Sequence, residues 1–289
     1  MDGKLEGSTL ANDYASIFLN SALYQNPIAA LSLLFLFFAR FMPIIALSPF
    51  FGSRVLPHPV KVTFALSMFV IFLPKLIQNT TIALDFNLLL LVFMVKELLV
   101  GLLIGNLMSI PFVIVQSAGI IIDHQRGGSS LMVNDPTIQN QSSPLGTLFN
   151  MVLIYIFFAM DGPFMFLEVI SSSYDYLPPD QFMNSQFFAI DSPSWHLLAK
   201  LFNDVMVFSI QFATPALIAI LMTDSFLGIA NRLAPQVQIT FLGMPLKSLL
   251  GLYVIYEGWL LMVKQMRITS IDWLQHTEEM VRYFKLIGE

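Results

Sequence analysis

Apolar residues run along this chain in six blocks, at residues 28–51, 62–77, 86–122, 144–170, 197–230 and 237–263. Each predicts a helix, because backbone groups without internal partners are too costly in an apolar medium for open-edged structure. Their lengths do not match upright spans. A bilayer core of about 30 Å needs about 20 helical residues, whereas block 86–122 would run to about 55 Å. Pro111 is its expected kink. Block 62–77 is short and holds Pro74 and Lys75, and block 197–230 is overlong and contains Pro215. The expectation is an all-α, membrane-associated fold of bent helical hairpins.

Charged residues interrupt nearly every block: Arg40, Lys96, Glu97, Asp161, Glu168, Lys200, Asp204, Asp224, Lys247 and Glu257. Each would cost roughly 2.5–3.5 kcal/mol at a lipid-facing helix centre. They are therefore expected to face protein or water, in a protein-walled assembly. Lys96 and Glu97 are adjacent, and adjacent helical residues point about 100° apart. They are not expected to pair with each other. Buried polar contacts of Arg40, Lys96 and Glu97 to neighbouring subunits are favoured over a proton relay. Gly101 and Gly105, one turn apart with Ser109 continuing the face, predict close approach of another helix.

The connecting segments differ in character. Residues 52–61 hold Arg54, His58, Lys61 and two prolines, and residues 171–196 are acidic around Pro178–Pro179. The Lys/Arg bias puts the Arg54/Lys61 and Arg232 loops on the cytoplasmic side and both termini outside. Between Arg126 and Pro136 a pliable run, Gly127, Gly128, Ser129 and Ser130, precedes an apolar patch, Leu131, Met132 and Val133. That patch either anchors on the protein's own core or projects into a channel as a dewetting seal. In the tail, residues 264–289, Ile268, Ile271, Leu274, Val281 and Phe284 fall near helical spacing, with Glu278–Arg282 as an i,i+4 pair. It reads as an amphipathic helix on a partner or a membrane surface, or as a solvated terminal helix.

Composition narrows the class. Hydrophobic residues make up 56%, charged ones 11%, and mean hydropathy is +0.73, against about 25% charge in a soluble domain. A net charge of −5 indicates no broad basic surface for nucleic acid. The absence of cysteine excludes disulfides, iron–sulfur clusters and thiolate zinc sites. Residues 1–26 are polar and net acidic, unlike a cleavable signal peptide, so the first apolar block is expected to stay in the mature protein. His58, His124, His196 and His276 are isolated, and no phosphate-cradling loop or nucleophile elbow is present. No metal, cofactor or catalytic site is expected.

Several motifs together resemble the integral export-gate family of type III secretion, the flagellar FliR and injectisome SctT proteins. They are Arg40-Phe-Met-Pro43, Ser48-Pro-Phe-Phe-Gly52, Pro57-His-Pro-Val-Lys61 and Lys96-Glu-Leu-Leu-Val-Gly101 running on to Gly105. Ala118-Gly119, Gln125-Arg-Gly127 and Asp135-Pro136 follow, then Asn231-Arg-Leu-Ala-Pro235 with Phe241-Leu-Gly-Met-Pro-Leu-Lys247. The polar N-terminus and charged tail suit an injectisome member better than a flagellar one.

The resemblance implies a subunit of a helical cone at the base of the needle or flagellum, in the bacterial inner membrane. Its partners would be the R-type and S-type gate proteins, with the U-type switch protein, the V-type export protein, the inner rod or needle and unfolded substrates. It further implies a polar segment 1–27, an R-like portion 28–196, an S-like hairpin 197–263 and the tail. Within these, Arg126, Gly127, Gly128, Ser129, Ser130, Leu131, Met132 and Val133 lie in a plug loop, 126–134. Relatives often carry aromatic residues there; this chain has Ser130 and Val133, so a Leu131/Met132/Val133 seal is expected. Asn231, Arg232, Pro235, Gly243, Pro245 and Lys247 would shape the hairpin tip. The competing reading is a secondary transporter coupled through Lys96, Glu97, Asp204 or Asp224, although no internal repeat is visible.

Overall fold

A computed structural model describes residues 27–51, 57–80, 86–127, 143–183, 192–233 and 239–284. The described residues form helices without strands: α1 (Pro27–Leu47), α2 (His58–Asn79), α3 (Leu88–Gln125), α4 (Pro144–Ala159), α5 (Gly162–Tyr176), α6 (Pro193–Leu233) and α7 (Ile239–Arg282). Five are long and apolar enough to cross a membrane, or six spans if α4 and α5 count as one broken span.

Local sequence explains where the helices begin and break. Pro57, at φ −58°, precedes α2, and Pro59 sits in its first turn, where a missing N–H costs nothing. The helix therefore starts before the apolar block and reaches 22 residues, which corrects the reading of block 62–77 as short. Ser143 caps α4 by accepting the Gly146 amide at 2.9 Å, with Pro144 next. Block 144–170, read as one helix, is two. Asp161 adopts φ 58°, a left-handed conformation that aspartate tolerates, and a Cβ on Gly162 would lie 2.5 Å from the Phe157 carbonyl oxygen. Pro111, Pro215 and Pro245 lie inside α3, α6 and α7 without ending them.

The described residues fall into two compact units. One gathers the described residues within 27–109, 164–197 and 274–284, the other those within 110–163 and 198–273. An aromatic cluster forms the core of the first: Phe37 stacks on Phe41 at 4.9 Å and on Tyr174 at 6.1 Å, with Phe69 and Phe72 alongside. Here α1 and α3 run in parallel register. A Cβ on Gly101 would strike the Arg40 carbonyl, and one on Gly105 would stand 3.0 Å from Ile44 Cα. In the second unit α3 and α4 meet as closely, since a Cβ on Gly119 would lie 2.5 Å from Gly146 Cα. Phe112 on Phe157 and Phe149 on Trp259 fill in around them.

The tail is continuous with the helix before it: α7 passes Val263 and ends at Arg282. Its apolar face, Leu274, Met280, Val281 and Phe284, is buried within the first unit. That part of the face packs on this chain itself, while Ile268 is 38% exposed. Burial is uneven elsewhere. Half of the apolar window of α1 is buried inside the chain, against 28% for α6 and 11% for α7.

Replacing Gly101 with valine should separate α1 from α3 and cost about 1–3 kcal/mol, as overpacking does. Gly258→Ala, with nothing within 4 Å of its Cβ position, should leave stability unchanged or slightly raised. Thermal unfolding of the purified protein in detergent separates the two outcomes.

Candidate functional site

Two polar clusters stand out against this apolar framework, one in each unit. The first is built on α1 and α3. Arg40 and Glu97 are fully buried and face each other as a fork: Arg40 Nε donates to Glu97 Oε2, and Nη2 donates to Oε1 at 2.8 Å. Nη2 also donates to the Leu177 carbonyl at 2.8 Å, while Nη1 donates to the Ser173 carbonyl at 3.0 Å and its hydroxyl at 3.1 Å. A guanidinium has five N–H donors, and all are used. Its carbon lies 4.1 Å from the Tyr174 ring centroid, a cation–π contact.

Lys96 completes the cluster. Its Nζ donates to the carbonyls of Pro178 (3.0 Å), Pro179 (3.0 Å) and Gln181 (2.9 Å) and lies 2.7 Å from Glu97 Oε1. Asp180, in the same turn as these carbonyls, is also buried. The Ser173 carbonyl, which also accepts the Leu177 amide at 3.0 Å, and the Leu177 carbonyl lie at and just past the end of α5, where the macrodipole is negative. Arg40 and Lys96 thus cap α5 and the Pro178–Pro179 turn behind it.

This arrangement corrects two expectations. Lys96 and Glu97 do pair, because their side chains, divergent at Cβ, are long enough to converge under the end of α5. Their partners also come from the same chain, so no neighbouring subunit is needed to satisfy Arg40, Lys96 or Glu97. Lys75, on α2, is bound likewise, to the Ser171 hydroxyl at 2.7 Å and Asp175 at 2.6 Å.

The second cluster closes the base of the glycine- and serine-rich segment. Asp123, at the end of α3 and 1% exposed, accepts from the Ser143 hydroxyl, from the Leu145 amide at 3.0 Å and from Arg126 Nε and Nη2, each at 2.7 Å. A carboxylate at the first turn of α4 is favoured by its dipole. Arg126 Nη1 reaches the Ser248 hydroxyl on α7 at 3.4 Å. Gly127 follows at φ 94°, the left-handed end of α3 that glycine supplies at no steric cost. Gly128, Ser129, Ser130, Leu131, Met132 and Val133 lie outside the described residues.

At the start of α7, Lys247 forms an ion pair with Asp224 of α6. A cleft of 220 Å³ opens beside them, between Gly228 and Asn231 on α6 and Gly243 and Met244 on α7. A Cβ on Gly243 would come 3.1 Å from the Leu227 side chain. Arg232 and Pro245 are exposed, and Pro235 lies outside the described residues.

Sequence reasoning passed over Asp123 and Ser143. The Ser143-Pro144 start signal and the i,i+3 spacing of Asp123 and Arg126 carried that information. Nothing in the residue types announced the carbonyls of residues 177–181 as acceptors. No group of acidic and histidine side chains suited to a metal ion occurs among the described residues.

Long apolar helices with internally neutralised charges define a helical, membrane-embedded protein. The chain belongs to the bacterial export proteins, family 1, whose model matches residues 31–270. It is 35% identical to the secretion system apparatus protein SsaT of Salmonella typhimurium over 158 residues, 54% of this chain and 58% of that protein. The Yop proteins translocation protein T of Yersinia pestis is 31% identical over 81% of this chain and 88% of its own length. The flagellar biosynthetic protein FliR of Bacillus subtilis is 30% identical over 73% and 80%.

Breaking the Arg40–Glu97 pair from one side should be severe. Arg40→Met or Glu97→Gln alone should each cost about 3–5 kcal/mol, the range for stranding a buried charge. The double variant Arg40→Met, Glu97→Gln should lose less than the sum in a detergent unfolding cycle. Asp123→Ala should cost about 1–3 kcal/mol by stranding its donors, with faster hydrogen exchange at the Leu145 amide.

Proposed function

We propose that this chain is a subunit of a type III secretion export gate that helps to form and close the channel for unfolded substrates. It is an export-apparatus protein that works in a complex, not an enzyme. The observation that carries the reading is the exposure of its apolar helices, α7 above all. Only 11% of the apolar window of α7 is buried within the chain, and an apolar surface of that extent calls for a cover of protein or lipid. In the proposed gate, R-type and S-type proteins share this cover in a cone at the bacterial inner membrane. The U-type, V-type and rod or needle proteins adjoin it. Residues 28–196 form the R-like portion and 197–263 the S-like hairpin. Asn231, Arg232, Pro235, Gly243, Pro245 and Lys247 shape its tip.

The plug belongs to residues 126–134. The Asp123 cluster supports this role, since it ties Arg126 to the start of α4 and to Ser248. A seal needs a mount that does not wander, and that cluster is a bonded one. The transporter reading is weakened by the saturation of Lys96 and Glu97 with protein partners. Deleting residues 129–133 should raise ion leak through the assembled complex in a conductance measurement, and unchanged leak would count against the plug. The chain reconstituted alone in vesicles should move no solute.

A further inference from the structure

Arg40, Lys96, Arg126 and Lys247 find ion-pair partners within the chain; Glu257 does not. It lies exposed on α7 and forms no ion pair among the described residues. Residues 248–263 of α7 contain no other charged side chain. The depth of Glu257 follows from the register of α6 against α7. Lys247 pairs with Asp224, and a Cβ on Gly251 would meet Ile220 at 3.1 Å, so four residues forward on one helix match four back on the other. Buried Ile255 and Ala216 occupy the next step. Glu257 is then level with Thr214, the midpoint of residues 205–223, a stretch of α6 without a single charged residue.

A carboxylate thus sits at mid-height of an apolar hairpin, on a face the chain leaves uncovered. Tyr253, Leu260 and Leu261, one turn away on either side, are 56%, 81% and 74% exposed. Tyr253 stands one turn before the carboxylate and brings no positive charge to neutralise it. Against lipid such a group is costly. Against a facing helix that brings a cation, the same group becomes a strong, register-setting contact.

We infer that Glu257, framed by Tyr253, Leu260 and Leu261, is the docking point for a lysine or arginine on an otherwise apolar helix of another subunit. The complementarity is one of charge and of apolar surface together. It selects a helix with a single basic residue over a wholly apolar one, because an unpaired carboxylate penalises the latter. This rests on the proposed assembly of the hairpin with other gate subunits.

The test uses the complete complex extracted in mild detergent. Glu257→Lys should lower the fraction of the chain in the complex at least tenfold and Glu257→Gln several-fold, while Glu257→Asp should keep most of it. A photo-crosslinker at Leu260 should attach to a helix of a different subunit, next to a basic residue. Changing that residue to glutamate should restore assembly of Glu257→Lys. Wild-type assembly of Glu257→Lys would overturn the inference, as would attachment to lipid alone or to a second copy of this chain. Matching melting of the isolated variant and wild-type chains in detergent excludes misfolding as the cause. If the wild-type chain itself joins no complex, the assembly reading fails instead.

Discussion

A cation fork closed under the end of α5 holds the first unit together. Arg40 and Glu97 come from helices whose backbones nearly touch at Gly101, and the pair they form is fully buried. In that setting an ion pair gains nothing unless its remaining donors and acceptors are met. Here they are met by the last carbonyls of α5 and by the turn at Pro178 and Pro179. The cluster therefore does two things at once: it neutralises charges that an apolar fold cannot leave bare, and it sets cations against the negative end of a helix. The glycine contact and the ion cluster depend on each other, because a wider separation of α1 and α3 would lengthen the bonds of the fork.

The second unit applies the same physics to a different end. Asp123 satisfies the opening amides of α4 while binding Arg126, and Arg126 reaches on to Ser248. The end of α3 and the start of α4 are joined at a buried carboxylate. Lys247 and Asp224 pin α7 to α6 nearby in the chain. In each of these clusters a charge inside an apolar element is matched within the same unit, and apolar surface on α2, α6 and α7 remains uncovered. An assembly partner is required for that surface far more than for Arg40, Lys96 or Glu97.

Much of this was legible in the residues. Helical class and the apolar elements follow from composition and periodicity, and the motifs around Arg40, Lys96 and Lys247 carry the resemblance to the family. The break at Asp161 was not, because a left-handed residue inside an apolar run leaves no trace in hydropathy. The length of α2 was understated, because Pro57 and Pro59 read as loop although proline is welcome in a first helical turn. Lys96 and Glu97 were set apart by their angular separation, an argument that holds for Cβ directions and fails for side chains several bonds long.

What the sequence determined by itself is which stretches are helical and apolar, and that charges within them must be answered by something. Only the tertiary structure decided what answers them. The acceptors for Arg40 and Lys96 are mostly backbone carbonyls from residues 173–181, and every residue carries such a group whatever its side chain. Which carbonyl lies free at the end of a helix, and which helix end meets which cation, depends on where the chain folds back. That return path is set by packing between segments far apart in the chain, so no local pattern encodes it.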